Sequence, residues 1–296
     1  MKDLFVNGCS YATGWHGGLQ PVPVITAKDE FTDTRSWVQY FANDNNVQNV
    51  WNHSVISKPV EMCLTDTLGF CTQYYEKFGT YKDLFCIIEI SDPFYREFEP
   101  VQLKGLKDTS EDDNFIIKPF VYRSDRSAIS GRVEPFRTVY VRLPKKMDYL
   151  GFDNFAQEVS IRDILKSDVR AHNQKRKDLL DRPDSVLANI EASRIAVDHM
   201  TDFLMSNDIP YVMFWIGVKH HRYKNLVDRA FRPYMKNHRM VPTKTFNAAC
   251  YAYERSINPV GFHPDLAGHK SIAEFLSDYV RTYNLTQKPQ LELLNV

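Results

Sequence analysis

Residues 84–90 read Leu84-Phe85-Cys86-Ile87-Ile88-Glu89-Ile90, an almost unbroken apolar run. It is too short for a buried helix, and its branched and aromatic side chains suit a strand covered on both faces. A strand of that kind belongs inside a parallel sheet. Just upstream, Val60, Cys63, Leu64, Thr67, Leu68, Cys71, Tyr74, Tyr75 and Phe78 recur at helical spacing, and Gly79 ends the pattern. Ser57-Lys58-Pro59 reads as the start of this helix, with Ser57 as N-cap. Further back, Val47 to Trp51 predicts a strand, and Trp37, Tyr40 and Phe41 predict a short helix. Leu4-Phe5-Val6 predicts a first strand that ends at Asn7-Gly8 and opens into a loop, Cys9 to Arg35, rich in Gly, Pro and Thr.

Downstream the rhythm breaks between residues 93 and 183. Gly105 to Asn114 reads as an exposed polar loop, Val121-Tyr122 and Thr138 to Val141 as strands of an insertion, and Ile161 to Leu180 contains a mixed-charge helix. The cluster Lys175-Arg176-Lys177 reads as a solvated helix face. Regular patterning returns at Asp184. Val186, Ile190, Val197, Met200 and Leu204 form one helical stripe, and Tyr211 to Ile216 is a buried strand. Helices follow over Asn225 to Lys236 and Leu266 to Tyr283, the second with Ile272, Phe275, Leu276, Tyr279 and Val280 on its core face. Alternating strands and helices predict an α/β fold of three layers, a parallel sheet with helices on both faces. The expected organisation is a discontinuous α/β domain of residues 1–92 and 184–284, an insertion at 93–183, and a tail at 285–296.

Composition narrows the function. Lys and Arg number 37 and Asp and Glu number 37, so the formal net charge is zero. That argues against nucleic acid held by bulk positive charge. The five cysteines are scattered and form no CxxC pair, which argues against a disulfide framework and a thiolate metal site; no metal or cofactor is expected. No apolar run reaches membrane-spanning length, and Met1 to Tyr11 carries no signal-peptide pattern, so a cytoplasmic location is expected.

Ligands of such sheets gather at the carboxyl ends of the strands. Three polar segments fall there. Asn7-Gly8-Cys9-Ser10-Tyr11 puts a serine on a tight turn whose backbone N–H groups can face an oxyanion. His263-Pro264-Asp265-Leu266-Ala267-Gly268-His269 puts a histidine before the last helix, where it can serve as a general base or pack beside a capping Asp265. Glu89-Ile90-Ser91-Asp92-Pro93 turns abruptly polar after the central strand. Other features weigh less. His220-His221 are adjacent, so on a helix they point about 100° apart and make poor co-ligands. His16 lies in the Ser10 loop, and the Phe and Tyr residues of the insertion read as ordinary packing.

The order of these three segments resembles the GDSL/SGNH hydrolase superfamily over residues 4–92 and about 184–284. Gly8-Cys9-Ser10-Tyr11 with Gly14, Ser91 to Glu97, and His263 to His269 resemble SGNH-like proteins encoded by phages and some bacteria. The resemblance implies a flavodoxin-like sheet, a nucleophilic Ser10 and a catalytic His263. It implies an oxyanion hole from the Ser10 N–H, the Ser57 N–H at the usual glycine position, and the Ser91 hydroxyl at the usual asparagine position. The family's triad aspartate falls on Val260, and Asn258, Asp265 or Asp92 are the candidates to support the imidazole. The implied activity is a serine esterase that removes small O-acyl groups from a small molecule or glycan. The alternative is a non-catalytic binding or structural module on the same fold, such as a phage virion component partnered by other virion proteins and located in the virion.

Overall fold

Alternation along short strands builds the centre of the molecule. β1 (Asp3–Asn7) sends Leu4 and Val6 to one face and Phe5 to the other. The computed structural model describes residues 1–9, 11–12, 25–26, 36–55, 58–91, 96–97, 100–102, 104, 115–123, 136–150, 157–180, 185–216, 221–242, 245–246, 248–256 and 264–289. The short β2 (Ile25–Thr26) pairs antiparallel with β3 (Asn49–Asn52). β3 and β4 (Leu84–Ile90) flank β1 in parallel, with Val6 opposite both Asn52 and Ile87. Three strands of a second sheet, β6 (Phe115–Arg123), β7 (Phe136–Pro144) and β8 (Gln157–Val159), follow β5 (Arg96–Glu97). β9 (Tyr211–Trp215) then closes onto β4 in parallel.

The main sheet therefore runs β2-β3-β1-β4-β9. Beyond β9, Met240 makes a parallel bridge to Met213, and the Val241 N–H donates to the Met213 carbonyl at 2.8 Å. Counting only parallel strands, the order is second, first, third, fourth and a rudimentary fifth. That is the flavodoxin-like order, whose switch point lies between the first and third strands. Helices α1 (Trp37–Asp44), α6 (Ala248–Arg255) and α7 (Leu266–Thr282) cover the face that carries Leu4, Val6, Phe85, Ile87, Val212 and Phe214. Helices α2 (Val60–Phe78), α4 (Ser185–Ser206) and α5 (His221–Phe231) cover the face that carries Phe5, Cys86, Ile88, Tyr211, Met213 and Trp215. The expected three layers are present.

The second sheet has order β5-β6-β7-β8 and is antiparallel throughout. Its strands alternate with period two. Phe120, Val139, Val141 and Leu143 pack with Val55 and Met62, next to the β3–α2 connection. Ile117 and Tyr140 face the other way, toward Ile164 and Val169 at the start of α3 (Lys166–Leu180). The insertion thus leans on the main domain beside the carboxyl end of β3.

Several elements differ from expectation for visible reasons. α2 starts at Val60, with Pro59 in the cap position and no side-chain cap, so Ser57 is not its N-cap. On α2, Asp66 and Phe70 are buried, whereas Tyr75 and Phe78 are 51% and 44% exposed. Their rings instead stack at the rim with Tyr81 and Tyr74. The helix expected over 225–236 is α5 followed by a 3-10 turn, Arg232–Met235. Pro233 lacks the N–H that a continuing α-helix needs. Ile161–Asp163 is likewise a 3-10 turn, and the α-helix proper begins at Lys166. The tail is packed at its start. Leu285 is buried, and the Arg239 guanidinium donates to the carbonyls of Leu285 and Gln287. The loop at Gly105 to Asn114 and His16 lie outside the described residues.

Candidate functional site

The carboxyl ends of β1, β3 and β4 meet in one polar region. Ser10, Ser57, Asp92, Asn258, Val260 and His263 lie outside the described residues, whereas Cys9, Tyr11, Lys58, Ser91 and Pro264 are described.

At the end of β1, Asn7 is fully buried. Its amide donates to the Cys63 carbonyl at 2.8 Å and to Thr67 Oγ1 at 3.0 Å. Its Oδ1 accepts from Lys58 Nζ at 2.6 Å. The same ammonium donates to the His53 carbonyl at 2.7 Å and pairs with Asp66. Three acceptors meet three N–H donors, the condition for keeping such a charge out of water. Tyr149 OH, from the insertion, donates to Asp66 Oδ1 at 3.3 Å. His53 stacks on Tyr149, with ring centroids 5.5 Å apart, and meets Phe5 and Phe70 edge-on. Burial lowers the His53 pKa to about 4 despite the pull of Asp66, so this imidazole is neutral at pH 7.

The turn after β1 is built around Glu89. Gly8 runs so close to β4 that a Cβ on it would lie 2.5 Å from the Glu89 Cβ, so glycine is required there. Glu89 Oε1 accepts the Cys9 N–H at 3.3 Å, and Oε2 accepts the Trp37 indole N–H at 3.4 Å. The Ala12 N–H and the Cys9 thiol also favour the charged form of this carboxylate. The Ala12 carbonyl accepts from Ser36 Oγ and from Asn52 Nδ2, each at 2.8 Å. Burial pushes the Glu89 carboxyl up to about 7, while its donors pull the other way.

The third contribution comes from the start of α7. Asp265 Oδ1 accepts the Gly268 N–H at 3.1 Å as the helix N-cap. One turn on, His269 Nδ1 accepts the Trp37 N–H at 3.3 Å. That N–H belongs to the first turn of α1, whose next donor, the Val38 N–H, is capped by Ser36 Oγ. A continuous buried series therefore links Cys9, Glu89, Trp37 and His269. It ties the chain next to Ser10 to the helix that follows His263.

The structure gives two of the candidate residues their hydrogen-bond partners. The Ser91 hydroxyl is buried and donates to the Lys58 carbonyl at 2.6 Å, so its one proton is turned inward. Asp265 serves as a helix cap. Lys58, Asp66 and Asn7 were not singled out from sequence. Lys58 stands in a loop and Asp66 in a helix, and neither position announces burial. Glu89 did carry a signal, because a carboxylate inside a strand covered on both faces has no route to solvent.

Among the described residues, no group of three or more His, Cys, Asp or Glu side chains is placed to hold a metal ion. Within the same residues no helix is long and apolar enough to cross a membrane. Cys9, Cys63, Cys71 and Cys86 are buried thiols.

No family model and no curated protein matches the chain. Among solved structures, TesA is similar over 95% of this chain and 99% of its own, with 11% identity and a TM-score of 0.45.

Proposed function

We propose that the protein is a serine esterase acting on small O-acyl groups, with Ser10 as nucleophile and His263 as general base. The observation that carries this reading is the buried series from Cys9 through Glu89 and Trp37 to His269. It anchors the flanks of the two reactive residues to one rim of the sheet, where ligands of this strand order bind. Ser10 attacks the ester carbonyl while His263 takes its proton; the ester C–O bond then breaks, the alcohol leaves with the proton from His263, and water activated by His263 releases the acid from Ser10. The N–H groups of Ser10 and Ser57 receive the oxyanion. Ser91 has a supporting part here, because its hydroxyl holds the carbonyl of Lys58, the residue after Ser57. The insertion packs against Val55 and Met62, beside the β3–α2 connection, and this extra surface suits a bulky acylated substrate such as a glycan.

A non-catalytic module on the same fold, such as a virion component, is the second reading. What favours it is the inward Ser91 hydroxyl together with Val260 at the usual triad-acid position. Hydrolysis of an activated acetyl ester by the protein and by Ser10→Ala separates the two. The esterase reading expects the variant to lose activity by roughly 10³-fold or more. Equal rates, or no turnover by either protein on acetyl esters and a panel of acylated glycans, would favour the module.

A further inference from the structure

Glu89 has no part in the proton transfer just described, yet its buried side chain lies against Gly8 and Cys9, which directly precede Ser10 in the chain. The Cys9 N–H, just before Ser10, donates to the carboxylate, and the Ala12 N–H, after Ser10, favours its charged form. Trp37 supplies a third donor from α1, and the Gly8 backbone lies against the Glu89 side chain. The Ala12 peptide is held at its other end by Ser36 and Asn52. We propose that Glu89 is a positioning residue for the Ser10 turn: its ionised carboxylate grips the N–H groups of Cys9 and Ala12 on either side of Ser10, and taking up a proton releases that grip.

The chemistry of the surroundings supports a two-state clamp. The carboxylate of an ionised glutamate only accepts hydrogen bonds, and the neighbours here are donors: two backbone N–H groups, one indole N–H and one thiol. A proton on either oxygen sets a donor against these donors and removes an acceptor. Among the described residues, the α2 and β9 side chains next to Glu89 are uncharged. Cys63, from α2, is pushed up to about 12 by burial and stays a neutral thiol. From β9 the residue in register is Phe214, which carries no charge. On the α7 side His269 is engaged with the Trp37 backbone. Burial holds the carboxyl near 7, so both states are populated around neutrality.

The catalytic consequence rests on the esterase reading, but the clamp itself does not. Amide and indole NMR resonances of the full-length protein, followed from pH 5 to 9, test the clamp without any substrate. The Cys9 amide, Ala12 amide and Trp37 indole signals are expected to move together with one midpoint near 7. In Glu89→Gln that common titration disappears. Independent midpoints, or three flat resonances in the wild-type protein, would overturn the clamp whether or not the variant folds. Acylation of Ser10 by an activated acetyl ester across the same range tests the consequence. Glu89→Gln is expected to slow it on the order of 10- to 100-fold and to remove one acid-side inflection from the pH profile. An unchanged profile in folded Glu89→Gln overturns the positioning role. Absence of Ser10 acylation in a wild-type protein whose three resonances titrate together would sink the esterase reading and leave the clamp standing.

Discussion

The residue that most constrains this rim is Lys58. Its ammonium is sealed among Asn7, the His53 carbonyl and Asp66, and its own carbonyl is held by Ser91. Removing the charge while keeping the bulk, as in Lys58→Met, leaves Asp66 buried without its cation. The expected loss is about 3–5 kcal/mol of unfolding free energy, read from urea denaturation. A loss under about 1 kcal/mol would mean that water reaches Asp66 and that the pair is not sealed. Nothing at residue 58 in the sequence hints at this, because a lysine before a proline in a polar loop usually points into solvent. Glu89 is the opposite case. Its place inside Leu84 to Ile90 already required burial, and only the partners were hidden.

At the scale of elements, α2 shows how spacing and context divide the work. Its helical period was legible, and Val60, Cys63, Thr67, Cys71 and Tyr74 are buried as the spacing requires. The last turn departs from that spacing, with Tyr75 and Phe78 exposed. Gly79 ends the helix at φ 69° with nothing near its missing Cβ. Gly79→Ala therefore meets no clash and tests the backbone alone. It should lower stability by about 1 kcal/mol, with Gly79→Asn costing less, because asparagine tolerates the left-handed conformation better. Equal stability of all three proteins in urea would show that the helix end relaxes out of that conformation.

The whole molecule responds to pH through two buried groups that oppose each other. His53 has a lowered pKa, near 4 against 6.5, so its contribution to stability is full above 6.5 and is lost as pH falls through 4. Glu89 has a raised pKa, near 7 against 4.5, so its contribution is full below 4.5 and is lost as pH rises through 7. Each amounts to about 3 kcal/mol over its window, and between pH 4.5 and 6.5 they nearly cancel. Urea unfolding from pH 4 to 7.5 should therefore show opposite changes in the two single variants. Glu89→Gln should gain stability with rising pH relative to wild type, and His53→Gln should lose it. Two variants whose curves run parallel to wild type would contradict both assignments.

The sequence by itself determined the central strands near 4–6, 84–90 and 211–216 and the long helices near 60–78, 185–206 and 266–282, but not α6, β5 or β8. Apolar spacing at periods of 2 and 3.6 encodes burial directly, and that information is local. It also determined that Ser10 and His263 would follow a strand and precede a helix. Only the tertiary structure decided which polar groups meet at the rim. Seating β1 between β3 and β4 brings Glu89 against the turn after Gly8, and Lys58 to Asn7 and Asp66. Packing α7 on α1 brings His269 to Trp37. These partners are far apart in the chain or on different elements. Periodicity says which face of an element is buried, whereas strand order and helix packing say what it is buried against.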